Sequence, residues 1–552
     1  MLKKFFKRKL TILIWIYIVL CCAISCTKNN SGHYKATWLS LEKHPIPDWF
    51  YDAKFGIYTH FGLYSVPAYN SPRYADKMYE PGTKEYEYHK KHFGDQSKFG
   101  YKDFLPMFKA EKFDPQEWAD VMAKSGAKFA GMCVVHHDGF LMWDSDVHRW
   151  NVGDKGPKRD IYGELAKEIR KRGLKLIATF HHRGGFDDGE GDSWLPKKVT
   201  EEQKNSWDIF DPDYYDLYWN IYTSTKEKFV EYWEKTVKEV IDKYKPDLLW
   251  FDGMRGAIQN NEPPDEVVRS LFAYYFNMAE KENRPVTICN KLPATPKEFS
   301  FPESFGVLCY ENNRDRPDIP PRSPWLTDRA IGYPWCYVPN KKYISTDNHI
   351  NTLVDIVSRG GVFLLSLTPK GNGEIPQEEK KILREIGDWL EVNGEAIYGT
   401  RPWLIFGEGP SKLKSIVATL KKDGVLLERH SFSDLIEYRS WKKKVEGLGD
   451  VDYHIKWDYE NLTSNDIRFT RKGNVLYAIA LDWPENGQIV IKSLNSKANI
   501  CRGDIDSVFL LGYKNKLKFI RNEKGLIIQL PEERPCRYAY AFKIIFNGKL
   551  FD

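Results

Sequence analysis

The sequence predicts an α/β fold, a (β/α)8-type barrel followed by an antiparallel β-sandwich domain. Three observations lead there. From about residue 50 to 398, short continuous apolar runs alternate with stretches of helical period, as buried parallel strands and their crossover helices do. After Gly399 the apolar period changes to two, which marks half-buried antiparallel strands. At 552 residues the chain is too long for one compact domain and suits a large domain plus a smaller one.

The chain opens with a basic stretch (Lys3, Lys4, Lys7, Arg8, Lys9) and an apolar run from Leu10 to Ile24. That run is short for a membrane span, the alternative reading, and residues 1–25 read as a secretory signal. Ala23-Ile24-Ser25-Cys26 resembles a bacterial lipobox. Cys26 is therefore expected to carry lipid, with residues 26–45 as a polar tether. The expected location is outside the cytoplasm, anchored to a bacterial membrane on its periplasmic side or at the cell surface.

A catalytic domain is expected over 46–398. Its strands are read at 54–60, 127–137, 174–182, 247–253, 286–290, 306–311 and 361–368. An eighth, due between Glu311 and Gly361, has no legible apolar run. Asp114-Pro115 caps a helix that Gly126 closes, and Asp160 caps another that ends at Gly173. Residues 213–245 carry one long helical pattern, stopped at Lys245-Pro246. The second domain, 399–552, shows alternation at Ile467 and Phe469 and again along Val475, Tyr477, Ile479 and Leu481.

Composition narrows the function. The net charge of +6 falls to about +1 once the five cations of the export segment are set aside, since residues 1–25 hold no acid. No electrostatic footprint for nucleic acid remains. Aromatics at 15% suit a dense core and equally suit sugar binding. Of nine cysteines, Cys21 and Cys22 lie in the export segment and Cys26 at its end, and the other six form no C-x-x-C pair, so a zinc knuckle is not indicated.

Polar residues gather at the C-terminal ends of the strands: His60, His136-His137, His181-His182, Asp252, Asn290-Lys291 and Glu311. In a barrel these ends meet at one mouth, where active sites lie. Two chemistries compete. The His cluster with Asp252 would suit a metallohydrolase, but the first strand lacks H-x-H. Two carboxylates about 5 Å apart would suit a retaining glycosidase, with Asp252 and Glu311 as the pair and histidines on sugar hydroxyls.

Several motifs, in order, resemble the α-L-fucosidases of glycoside hydrolase family 29. They are Lys54-Phe55-Gly56-Ile57 to His60-Phe61-Gly62-Leu63-Tyr64-Ser65-Val66-Pro67, His136-His137-Asp138-Gly139-Phe140 to Trp143, Pro246-Asp247 to Trp250-Phe251-Asp252-Gly253, Gly360-Gly361 to Pro369-Lys370-Gly371-Asn372-Gly373, and Asp466-Ile467-Arg468-Phe469-Thr470. The likeness runs from about 48 to 545, with extra residues around 410–460. It implies Asp252 as nucleophile and His60, His136, His137, Trp143, His181, Trp250 and Lys291 as sugar-binding positions. Glu311 is the implied acid/base, with Glu303 as competitor. No cofactor or metal is implied, and the substrates would be fucosylated oligosaccharides or glycoconjugates. One departure stands out: Pro72 replaces a Glu that often contacts the sugar, with Asp76 and Glu80 as candidate substitutes. A sugar-binding lipoprotein without turnover is the non-enzymatic alternative.

Overall fold

The computed structural model describes residues 33–182, 195–252, 263–291, 304–313, 324–411, 414–420, 426–430, 451–457, 459–498 and 503–548, with Asp187 and Pro302. Cys26, Cys501 and Glu303 lie outside the described residues.

Eight parallel strands close a barrel: β1 (Phe55–Thr59), β2 (Phe129–Val135), β3 (Lys175–Phe180), β4 (Leu248–Phe251), β5 (Thr287–Lys291), β6 (Val307–Cys309), β7 (Trp325–Ala330) and β8 (Val362–Leu367). Each pairs with its sequence neighbours, and β8 pairs with β1 in register Phe55 to Phe363. The longer helices outside are α1 (Pro115–Lys124), α2 (Ile161–Lys171), α3 (Lys226–Tyr244), α4 (Asp265–Lys281), α5 (Thr346–Ser358) and α6 (Gln377–Asn393). Among the described residues, no long helix separates β5, β6 and β7.

Local chemistry sets these elements. Asp114 accepts the amides of Gln116 and Glu117 with Pro115 at the first helical position, and Asp160 accepts from Gly163 N. The barrel lumen is filled by inward side chains such as Tyr58, Phe129, Ile177, Leu248 and Trp250. Gly56 makes room for one of them: a Cβ there would lie 2.2 Å from the Phe129 ring.

One expectation is corrected, and the eighth strand is found where it was due. The pattern over 213–245 is not one helix: a helical turn at Tyr215–Tyr218 ends in left-handed Trp219 (φ 44), and α3 starts only after Thr225. Backbone bonds from Ile221 N to Asp187 O and from Asp187 N to Trp219 O pull the chain out of the helix, and the Asn220 amide reaches Ile209 O. The strand that the sequence hid is β7. Its segment Trp325-Leu326-Thr327-Asp328-Arg329-Ala330 carries polar residues on both faces. Asp328 accepts from Tyr58 inside the lumen, and Arg329 donates to Asn348 and Thr352 of α5 outside.

The C-terminal part holds a five-stranded antiparallel sheet in order β9 (Arg401–Glu408), β13 (Ile467–Lys472), β14 (Val475–Ala480), β19 (Tyr540–Asn547) and β16 (Asp504–Leu510). A three-stranded sheet of β15 (Gln488–Ile491), β18 (Gly525–Gln529) and β17 (Phe519–Asn522) shares its core, where Phe469, Leu476 and Phe542 meet Ile491, Leu526 and Ile528. Within the stretch around 410–460, β11 (Leu426–His430), β10 (Lys414–Leu420) and β12 (Val451–Trp457) form a separate three-stranded sheet.

The Asp466-to-Thr470 motif joins this part to the barrel. Arg468 donates to Asp355 Oδ1 of α5 at 2.6 Å, and Arg359 and Tyr459 bond Oδ2 of the same carboxylate, all buried. Removing one member of a buried ionic cluster strands its partners in low dielectric. Asp355→Ala is therefore expected to lower unfolding stability by about 3–5 kcal/mol. Urea unfolding followed by fluorescence measures it, and an unchanged midpoint contradicts the assignment.

Candidate active site

The barrel strands deliver one polar residue after another to the C-terminal mouth. His60 follows β1, His136 and His137 follow β2, His181 follows β3, Asp252 follows β4, Lys291 ends β5 and Glu311 lies just past β6. These line a cavity of about 690 Å³, together with Tyr58, Asp328, Tyr333 and Trp335.

Lys291 is the centre of the charge arrangement. Its Nζ donates to Asp252 Oδ1 at 2.5 Å and contacts Glu311 Oε2 at 2.8 Å. Two oxygens held on one nitrogen can be no farther apart than those two distances laid end to end. That limit falls within the roughly 5–5.5 Å of a retaining carboxylate pair. His137 Nε2 approaches the other Asp252 oxygen at 3.4 Å. Burial by itself would raise Asp252, but Lys291 and His137 outweigh it and hold the carboxyl well below its ordinary range. Lys291 is likewise pulled down by burial, yet Asp252, Glu311 and Asp328 hold it well above its usual value. Asp252 thus stays ionised.

A third acid sits deeper. Asp328 accepts from Tyr58 Oη at 3.2 Å and from the Cys309 thiol at 3.1 Å, and burial pushes it up to about 6. The imidazoles pack as a wall: His136 and His181 stack with ring centres 5.2 Å apart, and His60 meets them edge-on at 5.5 Å and 5.2 Å. Burial keeps His60, His136 and His181 well below the ordinary histidine value, hence neutral at pH 7. Among the described residues, Nδ1 of His136 and of His181 and the Trp250 indole N–H have no hydrogen-bond partner. Neutral imidazoles that either donate or accept suit the hydroxyls of a sugar. Trp335, 5.1 Å from His60, adds an aromatic face.

Most of the residues marked from sequence meet here, but Trp143, Trp250 and His182 do not line the cavity, His182 turning instead to Thr236 of α3. Trp143 is buried in the larger core outside the lumen cluster, with its indole N–H donated to Glu239 of α3 at 2.9 Å, so it braces the scaffold instead of facing the sugar. Trp250 fills the lumen below, its ring 5.1 Å from His181. Pro72 lines the rim beside Arg73. Neither candidate substitute for the family Glu joins it: Asp76 is buried in an ion pair with Arg73, and Glu80 accepts from Lys197 N. Sequence reasoning missed Asp328, Tyr333 and Trp335. The aromatic run Tyr333-Pro334-Trp335 was the one signal for the last two, while Asp328 is hidden inside a polar strand. Among the described residues, His60, Cys133 and His181 form the group able to hold a metal ion.

A closed parallel barrel whose mouth pairs two carboxylates beside a wall of neutral imidazoles defines a glycoside hydrolase. Comparison with known proteins gives the family. The sequence model for alpha-L-fucosidase matches residues 21–395, and that for the alpha-L-fucosidase C-terminal domain matches 460–545. Tissue alpha-L-fucosidase of Homo sapiens is 28% identical over 532 residues, 93% of this chain and 91% of that one. Alpha-L-fucosidase of Dictyostelium discoideum is 29% identical over 412 residues, 72% and 80% of the two chains. The crystal structure of Thermotoga maritima alpha-fucosidase in complex with fucose superposes with a TM-score of 0.66 at 29% identity, covering 93% of this chain and all of that one. The chain belongs to the alpha-L-fucosidase family. It is a hydrolase that releases fucose from fucosylated glycans, and neither the metallohydrolase nor the sugar-binding reading is favoured.

Proposed function

We propose that Asp252 is the nucleophile and Glu311 the acid/base of this fucosidase. The supporting observation is the pair of carboxylates held on one ammonium, one oxygen at 2.5 Å and the other at 2.8 Å from the same nitrogen. Retaining glycosidases need about 5–5.5 Å between the pair, whereas inverting ones keep about 6.5–9.5 Å for a water between. One oxygen of each carboxylate held on a shared nitrogen keeps the pair close, as the first arrangement needs. Asp252, its side chain 13% exposed, attacks the anomeric carbon from within. Glu311, 28% exposed, stands nearer the solvent, where the leaving group departs and water enters. It gives its proton to the glycosidic oxygen as the bond to the aglycone breaks. It then takes a proton from the water that attacks the anomeric carbon and frees Asp252.

Lys291 keeps Asp252 ionised between turnovers. His60, His136, His137 and His181 hold the hydroxyls of the bound sugar. No cofactor takes part in either step. Hydrolysis of nitrophenyl α-L-fucoside in EDTA, followed by proton NMR, tests this reading. The first sugar formed is expected to be the α-anomer at an unreduced rate. A β-anomer, or loss of activity that zinc restores, refutes it.

The same reading includes export. The basic start, the short apolar run and Ala23-Ile24-Ser25-Cys26 support a signal peptide over 1–25 and a bacterial lipoprotein tethered through Cys26. Several acyl chains anchor such a protein stably. Cys26→Ser is expected to move it from the membrane fraction to the soluble one in cell fractionation. A Cys26→Ser protein still in membranes points instead to an uncleaved helix.

A further inference from the structure

Beneath the sugar cavity, one feature of the barrel floor has no part in glycoside cleavage. Cys133, on β2, is buried and unpaired and is not among the residues lining the cavity. Its Sγ lies 3.9 Å from His181 Nε2. Together with a nitrogen of His60, these ligand atoms all fall within 4.8 Å of one another. Ser366 Oγ occupies His60 Nδ1 at 2.7 Å, so Nε2 is the nitrogen available to an ion.

We propose that this thiol and two imidazoles form a binding site for a soft or borderline transition-metal ion of the zinc or copper(I) class, and that the bound ion inhibits the enzyme by taking the place of the sugar. The inhibitory part rests on the assignment of His60 and His181 to the sugar's hydroxyls.

The geometry is close to what such an ion requires. With about 2.3 Å to sulfur and about 2.0–2.1 Å to nitrogen, a tetrahedral zinc site separates S from N by roughly 3.6 Å and N from N by roughly 3.3 Å. The Cys133–His181 pair needs only a few tenths of an ångström of closure from its 3.9 Å. The outer limit of 4.8 Å leaves His60 to move by about one ångström or a little more, within reach of small side-chain rotations. The donor set also matches the ion class, since thiolate with imidazole selects Zn²⁺ and Cu⁺ over Mg²⁺ or Ca²⁺. On binding, the Cys133 S–H proton leaves to solvent as the sulfur–metal bond forms, and both imidazoles bind as neutral ligands. Three protein ligands leave a fourth position for water or another donor, and two of the three, His60 and His181, line the cavity. The two imidazoles are then engaged by metal and no longer free for hydroxyls, which makes the inhibition competitive.

The test uses Zn²⁺ as inhibitor and Co²⁺ as spectroscopic probe on the intact enzyme. Zn²⁺ is expected to inhibit nitrophenyl fucoside hydrolysis competitively with fucose, and EDTA to reverse it. Co²⁺ is expected to add a thiolate-to-cobalt charge-transfer band in the near ultraviolet. Cys133→Ala and Cys133→Ser, each normalised to its own metal-free rate, should both lose that band and need roughly 100-fold more Zn²⁺, at or beyond the upper end for loss of a ligand's supporting contact. No thiolate band in the wild type overturns the site, as does an unchanged Zn²⁺ midpoint in both variants. A band without inhibition leaves the metal site standing but overturns its inhibitory role and, with it, the placing of His60 and His181 on the sugar.

Discussion

Asp252→Gly is expected to lower turnover of an aryl α-L-fucoside by about 10⁴-fold or more, equivalent to about 5 kcal/mol of lost transition-state stabilisation. The carboxylate would be the attacking group, and without it no covalent fucosyl-enzyme forms. Asp252 sits at the end of β4, where its backbone N–H is held by Phe180 O at 2.8 Å, so its position comes from the barrel and not from a mobile loop. Truncation to Gly leaves a carboxylate-sized space next to Lys291 Nζ, whose charge favours a small anion. Azide should enter that space, restore part of the rate and leave as β-fucosyl azide, because it attacks from the face that Asp252 occupied. The readouts are steady-state rates with and without azide and NMR of the product. A fully active glycine variant contradicts the nucleophile assignment. Rescue giving the α-azide means attack from the opposite face and contradicts it too.

Glu311→Ala should divide substrates by their leaving groups. Cleavage of unactivated fucosyl oligosaccharides is expected to fall by about 10²–10⁴-fold, the usual worth of general acid catalysis. Aryl fucosides with good leaving groups need little proton donation. Formation of the intermediate from them should be nearly unaffected, while its hydrolysis slows for want of a base. Azide needs no base, so it should speed breakdown and give the α-azide, through the second of two displacements. The competing residue, Glu303, precedes β6, and its neighbour Ser304 bonds Glu42. Glu311 follows β6 and contacts Lys291 at the mouth. If Glu303→Ala gives this pattern and Glu311→Ala does not, the roles are exchanged.

What was legible in the sequence and what was not follows from how each signal arises. Strands β1 to β6 and β8 are buried on both faces, so they leave continuous apolar runs, and the first polar residue after each run marks its exit at the mouth. His60, His136, His181, Asp252, Lys291 and Glu311 were therefore readable as a set before any fold was known. The helix caps at Asp114 and Asp160 were readable because a cap bonds its own neighbours in sequence. Asp328 gave no such signal: it lies within β7 between Thr327 and Arg329, and nothing local separates an inward carboxylate from an outward guanidinium. The break at Trp219 was hidden for the same reason, since Asp187, which draws the chain out of the helix, lies far back in the sequence, just past β3. Trp143 shared a motif with site residues, yet its indole is turned to Glu239 by the packing of α3. The sequence alone determined which residues reach the mouth of the barrel, because strand burial writes itself into local hydrophobicity. Only the tertiary structure decided that one ammonium, Lys291, gathers both carboxylates at 2.5 Å and 2.8 Å, because their separation depends on barrel closure and side-chain direction across β4, β5 and β6.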